Sequence, residues 1–153
     1  MTILKVKNIS KSFQGKQVLE SVSFSVSEGS IYGFVGRNGA GKTTTMKMIL
    51  GLETLSQGEI SVVGQQVRFG ETVTNQDTGY LPDVPEFYPF MTAEEYLMLC
   101  ADITGLEKSQ KKQRVEQMLK LVNLQNISSK LPNSKELYAA NMIASSTNFE
   151  SLL

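Results

Sequence analysis

The sequence predicts an α/β fold in which an N-terminal antiparallel β subdomain leads into an apolar strand, a glycine-rich loop and a helix, with a partial helical subdomain behind them. Three observations carry this reading. Apolar and polar residues alternate with period two in two stretches of the first thirty residues, an apolar run at Ser30–Val35 feeds directly into a glycine-rich segment, and apolar residues recur at helical spacing after Thr92.

In chain order, Leu4 and Val6 alternate with Lys5 and Lys7, as in a half-buried strand. Val22, Phe24 and Val26 do the same against Ser21, Ser23 and Ser25, so two strands are expected with a turn near Gln14-Gly15-Lys16. Ser30 to Val35 is almost continuously apolar, the pattern of a strand buried on both faces. A helix is expected from Lys42 to Leu50, stopped by Gly51. Glu59 to Val63 predicts a further strand closed by Gly64, and 67–77 reads as polar and irregular. Thr78 to Leu81 predicts one more short strand, ended by Pro82 and Pro85.

Thr92 with Glu95 three residues on is a capping box. The helix it opens places Ala93, Tyr96, Leu97, Cys100 and Ile103 at helical spacing and closes at Gly105. A second helix is expected over 107–122, with Val115, Met118, Leu119 and Val122 on one face; Lys108, Lys111, Lys112 and Arg114 read as its solvated side. From Leu131 the character changes: Pro132 breaks the pattern and Glu136 to Ala144 suggests a short helix. The domain boundaries expected are therefore 1–130 and a divergent tail, 131–153.

Composition narrows the function classes. The 153 residues suit one domain, and 41% apolar with 20% charged residues is ordinary for a globular chain. Fifteen basic residues balance fifteen acidic ones, which gives no electrostatic reason to expect nucleic acid as a partner. The single cysteine, Cys100, has no partner for an internal disulfide, and Met1–Lys7 lacks the apolar core of a signal peptide. The apolar stretches are far shorter than the ~20 residues of a spanning helix, so any role across a membrane calls for a separate membrane partner. There is no histidine, which excludes imidazole chemistry within this chain.

The chemistry is concentrated in Gly36-Arg37-Asn38-Gly39-Ala40-Gly41-Lys42-Thr43, which satisfies the pattern Gly-x-x-x-x-Gly-Lys-Thr. The glycines let the backbone wrap closely round an anion and turn successive N–H groups toward it. The helix beginning there aims its positive end at the same point. Lys42 supplies a mobile charge for the β- and γ-phosphates, the Thr43 hydroxyl is placed to coordinate Mg²⁺, and Thr44 adds a further phosphate contact. The competing reading is a fortuitous glycine-rich turn; the preceding strand and following helix favour a nucleoside triphosphate site.

The residues 36–44, followed by Met48-Ile49-Leu50-Gly51-Leu52 and then Gln57-Gly58-Glu59-Ile60, closely resemble the nucleotide-binding domain of ABC transporters. Gly79-Tyr80-Leu81-Pro82 and the run from Tyr88 to Leu97 are similar to the subgroup serving bacterial drug, bacteriocin and bacitracin-type exporters. The resemblance extends over roughly residues 2–125. It implies an incomplete ABC ATPase domain: a P-loop NTPase core, an N-terminal antiparallel β subdomain and part of the helical subdomain. It further implies ATP and Mg²⁺ as ligands, with a membrane-spanning subunit and a second nucleotide-binding subunit as partners. The implied location is the cytoplasm, peripheral at the inner face of the cell membrane. Phe13 matches the aromatic that stacks on adenine, the alternative being a core phenylalanine. Asp83 falls where the family places a glutamine that touches Mg²⁺ and the attacking water; it is either a Mg²⁺ ligand or a solvent-exposed loop aspartate.

The family pattern also includes a Leu-Ser-Gly-Gly-Gln-like signature, an apolar strand ending in Asp-Glu, and a switch histidine. Residues 131–153 contain no glycine, no such strand and no histidine. The expectation is a truncated or frame-disrupted ATP-binding subunit that grips ATP but hydrolyses it poorly, since nothing identified orients the attacking water. Ile31 to Val35 would then keep an open apolar edge. Two functions compete: an energy-coupling ATPase subunit of an exporter, and a non-enzymatic nucleotide-binding fragment. A small phosphate-loop kinase suits the length but lacks a recognisable acceptor site and lid arginines.

Overall fold

The computed structural model describes residues 1–76, 78–81, 88, 90–121 and 123–124. It forms two compact units, Met1–Asp77 and Thr78–Leu153, taken separately below.

The first unit is built on a four-stranded antiparallel sheet in the order β2-β1-β3-β4, from β1 (Thr2–Phe13), β2 (Lys16–Ser27), β3 (Gln57–Val62) and β4 (Gln65–Gln66). The β1–β2 turn lies where the pattern places it. Gln14 and Gly15 both take positive φ, the primed turn whose twist matches that of the strands it joins. Inside the hairpin the register shifts between Val6 and Ile9, at Asn8, whose φ is 49°. The displaced ladder is replaced by side chains: the Asn8 N–H donates to Ser23 Oγ at 2.8 Å and the Ser21 N–H to Ser10 Oγ at 3.0 Å. Because of this bulge Val6 and Ile9, three residues apart, are both buried.

Helix α1 (Lys42–Ile49) has only three buried residues: Thr45, Met48 and Ile49. Met48 and Ile49 join Val6, Ile9, Leu19, Ile60 and Val67 in one apolar core between helix and sheet. Each large side chain removed from water there contributes about 1.5–3 kcal/mol. The helix stops at Gly51, as expected: the Leu52 N–H reaches Lys47 O at 2.8 Å and the Gly51 N–H reaches Met48 O at 3.1 Å. This closure requires a left-handed residue, and Gly51 has φ +70°.

Three expectations in this region are corrected. Ser30–Val35 forms no strand: Ile31 and Val35 are fully exposed and only Phe34 is half-buried. An extended segment becomes a strand only by hydrogen-bonding a neighbour, and no described strand pairs with it. It nevertheless keeps a strand-like alternation. Tyr32 stacks on Phe24 of β2 with centroids 5.1 Å apart and Phe34 packs on the same ring at 5.4 Å, while Ile31 and Val35 are left to solvent. The expected strand Glu59–Val63 begins earlier, at Gln57, and ends at Val62, where Val63 and Gly64 turn into β4. The irregular stretch after it contains a short 3₁₀ turn, Val73–Asn75, fixed by a hydrogen bond of 3.0 Å from Asn75 Nδ2 to Leu50 O.

In the second unit Thr78–Leu81 is not a strand. Helix α2 (Ala93–Ile103) opens on the full capping box: Thr92 Oγ1 accepts from the Glu95 N–H at 3.2 Å and Glu95 Oε2 from the Thr92 N–H at 2.8 Å. The Thr92 N–H and hydroxyl, both donating to Glu95 Oε2, hold that carboxyl below the usual range. Helix α3 (Lys108–Leu121) returns against α2, and Ala93, Leu97 and Ala101 pack on Val115, Met118, Leu119 and Leu124. Tyr96 lies half-buried beside Cys100, and burial pushes its phenol up to about 12. Two details depart from the sequence reading. Ile103 is exposed, because the buried stripe runs 93, 97, 101. Arg114 is buried with the apolar face of α3 instead of lying on its solvated side. The short helix expected over Glu136–Ala144 lies outside the described residues, as does the tail as a whole.

Candidate functional site

The glycine loop lies on the surface of the first unit over residues 36–40 and runs straight into α1 through the buried Gly41. Its turn is closed by the Ala40 N–H donating to Arg37 O at 3.1 Å. Lys42 folds back over the loop, its Nζ donating to Gly36 O at 2.6 Å and to Arg37 O at 2.9 Å. The ammonium is thus held on the loop's own carbonyls, within reach of any anion the loop receives.

Gly41 is the hinge of the arrangement. It is the N-cap of α1 with φ +82°, and a Cβ there would come 2.6 Å from Leu19 Cδ2 and 3.3 Å from Val18 O. The start of the helix is therefore pressed against β2 as only a glycine allows. Gly41 O accepts twice, from the Thr45 N–H at 2.8 Å and from Thr45 Oγ1 at 2.9 Å, with Thr45 fully buried. No side chain caps this end and no acidic residue lies in the first turn. The N–H groups of Lys42, Thr43 and Thr44 have no helical carbonyl four residues back. An uncapped helix end with a lysine beside it favours an anion. Thr43 is exposed and Thr44 half-buried, both in that first turn. Arg37, Asn38, Gly39 and Ala40 are exposed along the loop.

Phe13 ends β1, in the same hairpin whose Leu19 touches Gly41. It is 42% exposed, so it is not a core phenylalanine. Lys11 Nζ sits 4.7 Å from its ring centroid. Lys11 is itself buried, its Nζ donating to Glu53 Oε1 and to Thr54 Oγ1, each at 2.7 Å. The hydrogen bond from Lys11 holds the Glu53 carboxyl below the usual range. Sequence reasoning missed Lys11, Glu53 and Thr45. No regular alternation marked Lys11, because β1 shifts register on both sides of it, between Ile9 and Lys11 and between Lys11 and Ser12. Asp83 lies outside the described residues, so the structure joins Phe13 and 36–44 in one unit and leaves Asp83 unplaced.

The described clefts lie elsewhere, one beside Gln65, Arg68 and Glu71, the other along α2 at Glu94, Met98 and Leu99. Residues 36–40 of the loop are open to solvent. Among the described residues no cluster of three or more His, Cys, Asp or Glu could hold a metal ion, and no helix is long and apolar enough to cross a membrane.

A helix-capping glycine loop carrying a lysine, set beside an antiparallel sheet, defines the chain as a phosphate-binding-loop protein. A family model described as ABC transporter matches residues 19–140. The bacitracin transport ATP-binding protein BcrA of Bacillus licheniformis is 36% identical over 130 residues, covering 85% of this chain and 42% of that protein. The SkfA peptide export ATP-binding protein SkfE of Bacillus subtilis is 34% identical over 131 residues, covering 86% and 54%. A solved structure of the ATP-binding subunit of an ABC transporter superposes with a TM-score of 0.79 at 30% identity, covering 94% of this chain and 61% of that one. The chain belongs to the ABC transporter family and carries part of its ATP-binding domain. It spans about half the length, or less, of these curated relatives.

Proposed function

We propose that this chain binds ATP with Mg²⁺ as an ATP-binding subunit of an ABC transporter, coupling ATP binding and hydrolysis to export of a drug or peptide. The observation that carries the reading is the uncapped start of α1, with Lys42 Nζ poised on the carbonyls of Gly36 and Arg37. The loop 36–44 would take the phosphates, with Lys42 exchanging its carbonyl partners for phosphate oxygens. Thr43 Oγ1 would contribute to holding Mg²⁺, whose charge offsets that of the phosphates. The exposed ring of Phe13 would stack on adenine, since a flat apolar face suits a purine.

The export role follows from the likeness to proteins named for bacitracin transport and peptide export. The partners of this reading are a membrane-spanning subunit and a second nucleotide-binding subunit, which would hold the chain at the inner face of the membrane. Calorimetric titration with ATP·Mg²⁺ tests it. Lys42→Ala is expected to weaken binding about 10- to 100-fold, the loss of a charge-assisted contact. Equal binding by wild type and Lys42→Ala overturns the reading. Turnover measured on the same samples separates an ATPase subunit from a fragment that binds without hydrolysing.

A further inference from the structure

A lysine buried beneath an exposed aromatic ring is the least expected arrangement in the first unit. Lys11 is only 5% exposed, although a lysine is rarely taken out of water unless it is paired. Its ammonium has three donors. Two are taken by Glu53 Oε1 and Thr54 Oγ1, which leaves one for the Phe13 ring, 4.7 Å away.

Both oxygen partners belong to the segment just after α1 and Gly51, more than forty residues along the chain from Lys11. Lys11 thus ties the end of β1 to the far end of the phosphate-loop helix. Its strand partner, Leu19, meanwhile packs on Gly41 at the near end of that helix. Packing alone does not require a cation at this place: an apolar residue of similar length would fill the same volume, although it would leave the Glu53 carboxylate without its ammonium partner. What the cation adds is a positive charge against one side of a ring that is otherwise open to solvent.

We infer that Lys11 is a positioning residue for the base of the bound nucleotide: it fixes the plane of Phe13 relative to the phosphate loop and draws electron density toward its own side of the ring. This rests on the reading of Phe13 and residues 36–44 as a nucleotide site. A cation on one side of an aromatic ring makes the ring a better surface for an electron-rich base stacked on it. The anchoring of Lys11 by Glu53 and Thr54 sets base and triphosphate at one separation, so the contribution belongs to the base and not to the phosphates.

The test compares two probes on the full chain, ATP·Mg²⁺ and inorganic tripolyphosphate·Mg²⁺. Lys11→Met is expected to weaken ATP binding about fivefold and leave tripolyphosphate within about twofold of wild type. Lys11→Arg, which keeps a cation over the ring, is expected to recover most of the loss. In a Phe13→Ala background Lys11→Met should change ATP affinity little, because the ring through which it acts is gone. Glu53→Gln keeps the lysine but loosens its anchor. It should give a smaller loss of the same base-selective kind, and it provides the test should Lys11→Met fold poorly.

An equal loss for both probes, or none for ATP, overturns the inference. ATP binding that needs Lys42 but ignores Lys11 and Glu53 overturns this inference alone. Absence of ATP binding by the wild-type chain overturns the nucleotide-site reading and this inference with it.

Discussion

The two sides of the phosphate loop are held in different ways. On the C-terminal side, Gly41 is pressed on Leu19, its carbonyl takes two hydrogen bonds from Thr45, and α1 buries Met48 and Ile49 against the sheet. On the N-terminal side, the segment 31–35 touches the sheet through Tyr32 and Phe34 on Phe24, while Ile31 and Val35 lie fully in solvent. One side is secured by contacts complete within the first unit. The other has the composition of a buried strand and no described strand to pair with. The geometry of the loop is therefore organised from the helix side.

Substitutions on each side should differ accordingly. The largest effect is expected at Gly41→Ala. A left-handed non-glycine residue costs about 1–2 kcal/mol, and the collision with Leu19 adds to it, for roughly 3 kcal/mol in total. Urea unfolding would read that loss, and calorimetry should show ATP binding weakened with it. A loss below about 1 kcal/mol would show that the β2 contact yields easily and would weaken the contrast.

A smaller effect is expected at Thr45→Val. This removes the buried hydroxyl but leaves the backbone hydrogen bond to Gly41 O, so unfolding should register about 1 kcal/mol. The smallest effects belong to the other side. Ile31→Ser and Val35→Ser should each change stability by no more than about 0.5 kcal/mol, as for exposed sites in general. They should also reduce self-association in light scattering, because an exposed apolar strand-like segment is a pairing hazard. Destabilisation by 2 kcal/mol or more at either position would mean that the segment is covered in solution, and the comparison would have to be redrawn.

Much of the site could be read from the residues. The loop, the start of α1 at Lys42, its stop at Gly51, the β1–β2 turn at Gln14-Gly15 and the Thr92–Glu95 capping box all depend on residues within a few positions of one another. Their steric and hydrogen-bonding requirements are local, so each announces itself in a short stretch of sequence. The β-bulge at Asn8 was not announced. It depends on Ser23 of β2 facing Asn8 and on Ser10 of β1 facing Ser21, which is a property of the paired strands. Arg114 was misread for a related reason. Helical spacing alone puts it next to both a charged run and an apolar face, and the packing of α2 on α3 selected the second.

The sequence by itself determined the phosphate-loop motif, the residues that bracket it and the class of fold around it. Tertiary structure decided which residues the motif works with. It buried Lys11 beneath Phe13 by pairing it with Glu53, and it seated Gly41 on Leu19. It also left Ile31 and Val35 in solvent despite an apolar pattern that reads as core. The physical reason is one of range. Capping, turn formation and glycine geometry act over a few residues and are written in order along the chain. Burial and strand pairing need a second surface, and whether that surface arrives is settled by parts of the chain far from the residues it covers.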